Sequence, residues 1–269
     1  MPPLTACFTE LPALLREAAT LHLLPRWQRL QAGEVEEKSP GELVTVVDRE
    51  LEAWLTPRLQ ALRPEARVVG EEACAAEPGL LQHLDEGEVW LIDPLDGTRN
   101  FIEGRPSIAV MVALLRCGEP VAGWMLNPIT DVLHAAESGG GAWRDGQRVR
   151  SDHHRPGPRL RGVVKTHFLP PGVKETVLHN AQGLAEQLPG TNCAGEDYPL
   201  LLAGRTDCVL YWRTLPWDHA AGTLLLQEAG GVARRPDGTR YEVATSQPGL
   251  LVAPSPAAWQ AAQALLFAP

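Results

Sequence analysis

Apolar residues recur at helical spacing near the amino terminus. Leu11, Leu14, Leu15, Ala18, Leu21 and Leu24 share one face of a helix within residues 10–31, which Pro25 should kink or split. Residues 33–42, GEVEEKSPGE, are polar and carry Gly and Pro, so a mobile loop is expected there. A second helix is expected from Thr45 to about Leu62. Val46, Val47, Leu51, Trp54, Leu55 and Leu59 would line its apolar face, with Pro64 beyond its end. ARVVGEE and EVWLID read as short strands that each run into carboxylates. From Ser107 the pattern changes to strand-length segments, SIAVMVALL, VAGWML, VLHAAE and AWRDGQRV, separated by turn residues. Such a pattern predicts an antiparallel meander.

The polar, proline-rich stretch SDHHRPGPR, residues 151–159, is the best candidate for a boundary. It divides the chain into an amino-terminal α+β domain, 1–153, and a carboxy-terminal α/β domain, 154–269. Beyond it the pattern predicts a strand (162–166), helices (172–187 and 197–204), a strand (207–212), a helix (217–229), a strand (249–253) and a terminal helix (255–266). Helices alternating with strands imply an α/β layer.

Composition narrows the function classes. At 269 residues, with 44% hydrophobic and 21% charged residues, the chain can bury a sizeable core. The net charge of −9, with no basic stretch, excludes a nucleic-acid polymer as the expected partner. A small anionic substrate remains open, because a bound cation reverses the local charge. Five cysteines without a C-x-x-C pair predict neither a disulfide framework nor a zinc ribbon; small residues in or near a core are expected. No signal peptide and no membrane span are read, so a cytoplasmic location is expected.

The strand VWLI runs into Asp93-Pro94-Leu95-Asp96-Gly97-Thr98. Pro94 lacks an N–H, so the strand should stop there. A turn alone would explain Asp-Gly. The D-x-x-D-G-T spacing adds something: two carboxylates and a peptide carbonyl can aim at one point, as a hard cation such as Mg²⁺ requires. Gly97 permits close backbone approach, and the free N–H groups of a helix starting here would suit a phosphate. Three other places carry acids: Asp48 near a helix start, Glu71 with Glu72 after a short strand, and Asp218 in the first turn of a helix framed by Pro216 and Gly230-Gly231. Helix starts favour acids for dipole reasons alone, and an acidic turn can simply be solvated. His219 is expected to be a packed or exposed histidine.

Together, GELVTVVDRE, VVGEE, WLIDPLDGTRNF and PWDHAAGTLLLQEAGG resemble the inositol monophosphatase family in order, spacing and total length. The resemblance runs from Lys38 to Gly231 at least. It implies a layered α/β fold, a five-layer αβαβα sandwich of the sugar-phosphatase type, with the site between the two domains. It also implies a phosphoric monoester hydrolase with two or three Mg²⁺ ions. By that resemblance Glu71, Asp93 and the Leu95 carbonyl hold a first Mg²⁺. Asp93, Asp96 and Asp218 hold a second, and a third leans on Glu71. Asp48 and Thr98 match the pair that orients or deprotonates the attacking water near Glu71. Gly97 and Thr98 match phosphate donors, Lys38 a lysine beside the metals, and Glu72 a structural neighbour. A homodimer and Li⁺ inhibition are implied as well.

Paired metals suit phosphate-monoester hydrolysis, whose uncatalysed rate is extremely low. Competing motifs fit worse. The D-x-D-G-T of aspartyl-phosphate hydrolases needs one residue between the aspartates, and here there are two. An EF-hand fails because Leu95 and Gly97 fall at its third and fifth positions. A catalytically inactive, metal-binding relative is the remaining alternative, although every expected ligand position holds an oxygen donor. On the substrate side, Glu196 and Asp197 are candidates to accept hydrogen bonds from sugar hydroxyls. In inositol-specific members an acid stands shortly before the tryptophan; Arg213 and Thr214 stand there instead. Arg213 is either a contact for a second anionic group or a surface cation. Inositol monophosphate or a related sugar or polyol phosphate is the expected substrate. The same chemistry on 3′-phosphoadenosine 5′-phosphate, histidinol phosphate or fructose 1,6-bisphosphate is the alternative.

Overall fold

The computed structural model describes residues 4–151, 156–157 and 159–268. The expected boundary at 153/154 lies outside the described residues. Helix α1 (Thr5–Ala18) passes into a π turn (Ala19–Leu23) and a 3-10 turn (Leu24–Arg26). Pro25 sits in that last turn, where its missing N–H and its ring break the i→i−4 ladder. Strands β1 (Val35–Ser39) and β2 (Glu42–Thr45) then form an antiparallel hairpin. The expected loop at 33–42 is therefore a hairpin. Glu36 and Glu37 stay in water, Lys38 turns toward Glu71 and Glu72, and backbone pairing across Gly41 holds the ribbon.

Helix α2 (Val46–Leu62) and strand β3 (Arg67–Gly70) follow, then helix α3 (Glu71–Ala76), strand β4 (Glu88–Asp96) and helix α4 (Thr98–Ile102). The meander comprises β5 (Ala109–Arg116), β6 (Glu119–Asn127), β7 (Val132–Glu137), β8 (Gly141–Arg144) and β9 (Gln147–Val149). Strands β3 to β9 form one sheet in sequence order; only β3 and β4 are parallel. The rest of the chain supplies β10 (Arg161–Val164), α5 (Pro171–Asn180), β11 (Glu186–Gln187), α6 (Ala194–Leu202), β12 (Cys208–Tyr211), α7 (Pro216–Glu228), β13 (Val232–Arg234), β14 (Leu250–Ala253) and α8 (Pro256–Leu266). The second sheet has the order β11-β10-β12-β14-β13. The helix expected over 172–187 ends at Asn180; the chain then turns through Gly183 to reach β11 beside β10.

Burial resolves five layers. Leu11, Leu15, Leu51 and Leu55 of α1 and α2 pack with Trp90, Ile92, Val110 and Val112 on one face of the first sheet. Val89, Leu91, Met111 and Ala113 on its other face pack with Tyr198, Ala220, Leu224 and with Val209 and Val252 of the second sheet. Val177, Ala258 and Ala262 of α5 and α8 cover the outer face of that sheet with Leu210 and Leu251. The order is thus αβαβα, as expected. Because the first sheet is covered on both faces, β4 and β5 read as continuous apolar runs. Strand period two then puts Asp93 on the same face as Val89 and Leu91, toward α7. β4 does not stop at Pro94. It continues to Asp96 through a shift of register against β5, an irregularity that accommodates the missing N–H.

Candidate active site

The start of α2 fixes the first acid. Thr45 caps the helix, accepting from the Val47 N–H at 3.1 Å, and Asp48 closes a capping box. Asp48 Oδ2 accepts from the Thr45 N–H at 2.8 Å and from the Thr45 hydroxyl at 2.6 Å. Its other oxygen lies 3.1 Å from Thr98 Oγ1, which is also 3.0 Å from the Leu95 carbonyl oxygen. A hydroxyl has one proton, so Thr98 serves one of these acceptors at a time. Burial pushes the Asp48 carboxyl up to about 7; the Thr45 hydrogen bonds oppose this, and the charges of Glu72 and Glu71 add to it.

Thr98 opens α4 behind Gly97, which has φ 87°. A Cβ at Gly97 would lie 2.8 Å from the Ser107 carbonyl oxygen, so both backbone conformation and space demand glycine.

Glu71 and Glu72 form the first turn of α3. A buried acid that carries no motif signal holds that turn: Glu52 of α2 accepts from the Glu72 and Ala73 N–H groups, each at 2.8 Å. Gly70 makes room for it, since a Cβ there would come 2.1 Å from the Glu52 carboxyl carbon. Lys38 reaches from the β1–β2 hairpin to Glu71 Oε1 at 2.5 Å and Glu72 Oε1 at 2.7 Å. Burial lowers the lysine's proton affinity, but the two carboxylates overcome it and hold the ammonium above its ordinary range.

Asp93, Asp96 and Asp218 complete the acidic group. Asp93 is 2% exposed and accepts from the Leu95 N–H at 3.1 Å. Burial raises its pKa, and the charges of Glu71, Asp96, Asp218 and Asp48 raise it further. Asp218, in the first turn of α7, is raised by burial and by Asp96 and Glu71. Asp96 Oδ2 accepts from the Gly195 N–H at 2.6 Å and from the Cys193 thiol at 3.2 Å, tying β4 to the start of α6. The other cysteines are packing residues at buried positions, except the exposed Cys117.

The donors are all oxygen, and the like charges raise one another, which is the chemistry that suits a hard divalent cation. Among the described residues no three His, Cys, Asp or Glu side chains are grouped tightly enough to hold a metal ion as they stand. Glu71, Asp93 and Asp96 each take a protein donor instead. The residues that could hold a cation are therefore Glu71, Asp93, Asp96, Asp218 and the Leu95 carbonyl.

Glu71, Asp93, Asp96 and Asp218 line one cleft of about 1010 Å³. Its lining brings together Lys38, Glu71, Asp93, Leu95, Asp96, Gly97, Thr98 and Asp218 from distant parts of the sequence. Asp48 reaches it through Thr98. Arg213 lines the same cleft, but its guanidinium pairs with Glu42 of the hairpin and stacks on Phe168, 4.3 Å from the ring centre. Glu196 does not line the cleft; its carboxylate lies 3.3 Å from the Asn127 amide nitrogen. Asp197 is buried and occupied by protein donors, so it has no acceptor to offer a sugar hydroxyl. His219 is packed against Tyr198 and Tyr211, and burial pushes it down to about 3. The sequence reading missed Glu52 and Lys165, which line or support the site as single residues without a motif. The only signal for Glu52 is an acid one turn after Asp48 on the otherwise apolar face of α2.

A model of the inositol monophosphatase family matches residues 7–268. The chain belongs to the inositol monophosphatase family. Relatives agree across most of its length. An inositol-1-monophosphatase of Mesorhizobium japonicum is 36% identical over 207 residues, 75% of either chain. The Nus factor SuhB of Vibrio cholerae is 31% identical over 242 residues, 87% of this chain and 86% of that one. The crystal structure of the extragenic suppressor protein suhB from Bartonella henselae superposes with a TM-score of 0.81 at 27% identity, covering 96% and 97% of the two chains. A dual specific IMPase/NADP phosphatase bound with D-inositol-1-phosphate shares the fold, with a TM-score of 0.83 at 17% identity. The family and fold expected from the sequence are thus found, and membership places the chain among phosphoric monoester hydrolases.

Proposed function

We propose that the chain is a Mg²⁺-dependent phosphatase that hydrolyses a small phosphate monoester, inositol monophosphate or a related sugar or polyol phosphate, by direct attack of water. The observation that carries this reading is the Asp48–Thr98 contact at the edge of a buried group of carboxylates facing one cleft. Mg²⁺ held by Glu71, Asp93, Asp96, Asp218 and the Leu95 carbonyl would neutralise the substrate's dianion and lower the pKa of a bound water.

The chain's own residues do the rest. Thr98 Oγ1 takes a proton from the attacking water as its own proton passes to Asp48 Oδ1, 3.1 Å away. Thr45, with two hydrogen bonds to Asp48 Oδ2, fixes the orientation of the accepting carboxyl. The Gly97 and Thr98 N–H groups at the start of α4 orient the phosphate. Lys38 holds Glu71 and Glu72 at the rim. The homodimer implied by the family resemblance belongs to the same proposal.

A phosphate-release screen over inositol, sugar, histidinol and nucleotide monophosphates, with and without Mg²⁺, tests this reading. Release from a polyol or sugar ester only when Mg²⁺ is present is expected. Mg²⁺-independent release would overturn the metal assignment, and no release from any ester would favour the inactive relative.

A further inference from the structure

We propose that Lys165 reads the alcohol portion of the substrate: its ammonium, pinned to the cleft wall by Asp197, donates hydrogen bonds to a hydroxyl oxygen of a polyol phosphate. This inference rests on the phosphatase reading and names a contact that selects among its esters.

Lys165 leaves the end of β10 with its backbone still held, its N–H donating to the Leu210 carbonyl at 3.0 Å. The side chain lines the cleft, near enough to Asp96 and Asp218 for its charge to favour their ionised forms. Its Nζ lies 2.7 Å from Asp197 Oδ2 and 4.6 Å from the centre of the Tyr211 ring. Asp197 is only 2% exposed, and its oxygens are taken. The Thr191 hydroxyl donates to Oδ1 at 2.7 Å with the Thr191 N–H at 3.4 Å, and the Tyr211 hydroxyl donates to Oδ2 at 3.0 Å. A carboxylate offers about four lone-pair sites, so Asp197 orients the lysine and has nothing left for a ligand.

The ammonium has three donors and gives one to Asp197. Its side chain remains 28% exposed on the cleft wall, where the other donors can meet a ligand. Charge decides what they favour. Asp197 compensates the ammonium, and Arg213 is committed to Glu42. This wall therefore presents N–H donors without surplus positive charge. It suits a neutral oxygen acceptor, such as a ring or chain hydroxyl, better than a second anionic group. A donor held in place for such an acceptor also penalises an ester that lacks one, because the donor is then left unpaired in a partly dry cleft.

The test compares wild type, Lys165→Met and Lys165→Gln on myo-inositol 1-phosphate and on 4-nitrophenyl phosphate, which has no hydroxyl to read. Lys165→Met should lower kcat/KM for the inositol ester about 10- to 100-fold, mainly through KM, as expected for a lost charged hydrogen bond. Its loss on 4-nitrophenyl phosphate should be at least several-fold smaller than on the inositol ester. Lys165→Gln, which retains a donor, should recover part of the loss. An equal loss on both esters would make Lys165 a packing residue and overturn the inference, as would an unchanged KM for the inositol ester. A wild-type protein that hydrolyses neither ester overturns the phosphatase reading itself, a result distinct from both.

Discussion

At the residue scale the site is a problem in like charges. Asp93 is buried among carboxylates that raise its pKa, and among the described residues its one protein donor is the Leu95 N–H. On the proposed function such a group is placed for a bound cation rather than for stability, because a buried charge without full compensation destabilises the fold. Asp93→Asn should therefore leave the protein in a chelator at least as heat-stable as wild type; a lower Tm would show that Asp93 is structural. In the proposed mechanism Thr98→Ala and Asp48→Asn remove two ends of one proton path and should be strongly non-additive. The double variant should lose about as much kcat as the worse single one, and fully multiplied losses would separate their roles. The acids were legible because a strand cannot carry D-x-x-D-G-T into a buried sheet without a reason. Lys165 was not, because a lone lysine after a strand has no spacing to read, and only the fold brings Asp197 and Tyr211 to it.

At the scale of elements, helix starts organise the site. Asp48, Glu71, Thr98 and Asp218 all stand in the first turns of helices, where N–H groups are free and acids are favoured. For α3, six residues long, intrinsic helix stability is small, and Glu52 supplies the acceptor for its first free N–H groups. Glu52→Ala should cost about 2 kcal/mol by leaving two N–H groups without their acceptor, and should weaken Mg²⁺ binding by loosening Glu71. Thermal melts and a Mg²⁺ titration check both; unchanged values would remove the positioning role. Helices and meander strands were readable because buried faces impose period 3.6 or 2. The β1–β2 hairpin was not, because its outward charges mask alternation, and the short strands β11 and β13 carry too few residues to show a period.

At the scale of the whole molecule, the five layers let β4 carry acids on one face while its other face stays in an apolar core. They also bury titratable groups that then report on pH. His134 is buried in β7, and desolvation, with Arg144 nearby, pushes it down to about 4 from 6.5. Below about pH 6.5 the unfolded chain binds a proton that the folded chain refuses, so this contribution to stability is present above that pH and lost as pH falls toward 4. Its full size is on the order of 3 kcal/mol. The cleft carboxylates, whose pKa values are raised, act with the opposite sign. Comparing wild type with His134→Gln therefore isolates the histidine. Wild type should lose more stability between pH 6.5 and 4 than the variant in denaturant melts, and parallel curves would contradict this.

The most direct measurement for the whole reading is phosphate release from myo-inositol 1-phosphate by wild type and by Asp93→Asn, each with Mg²⁺ and with a chelator. Wild type should turn over with Mg²⁺ and stop in the chelator, while folded Asp93→Asn should fall by about a thousandfold or more. Near wild-type turnover by Asp93→Asn in Mg²⁺, or turnover that survives chelation, would contradict a metal-dependent phosphatase site built on these acids.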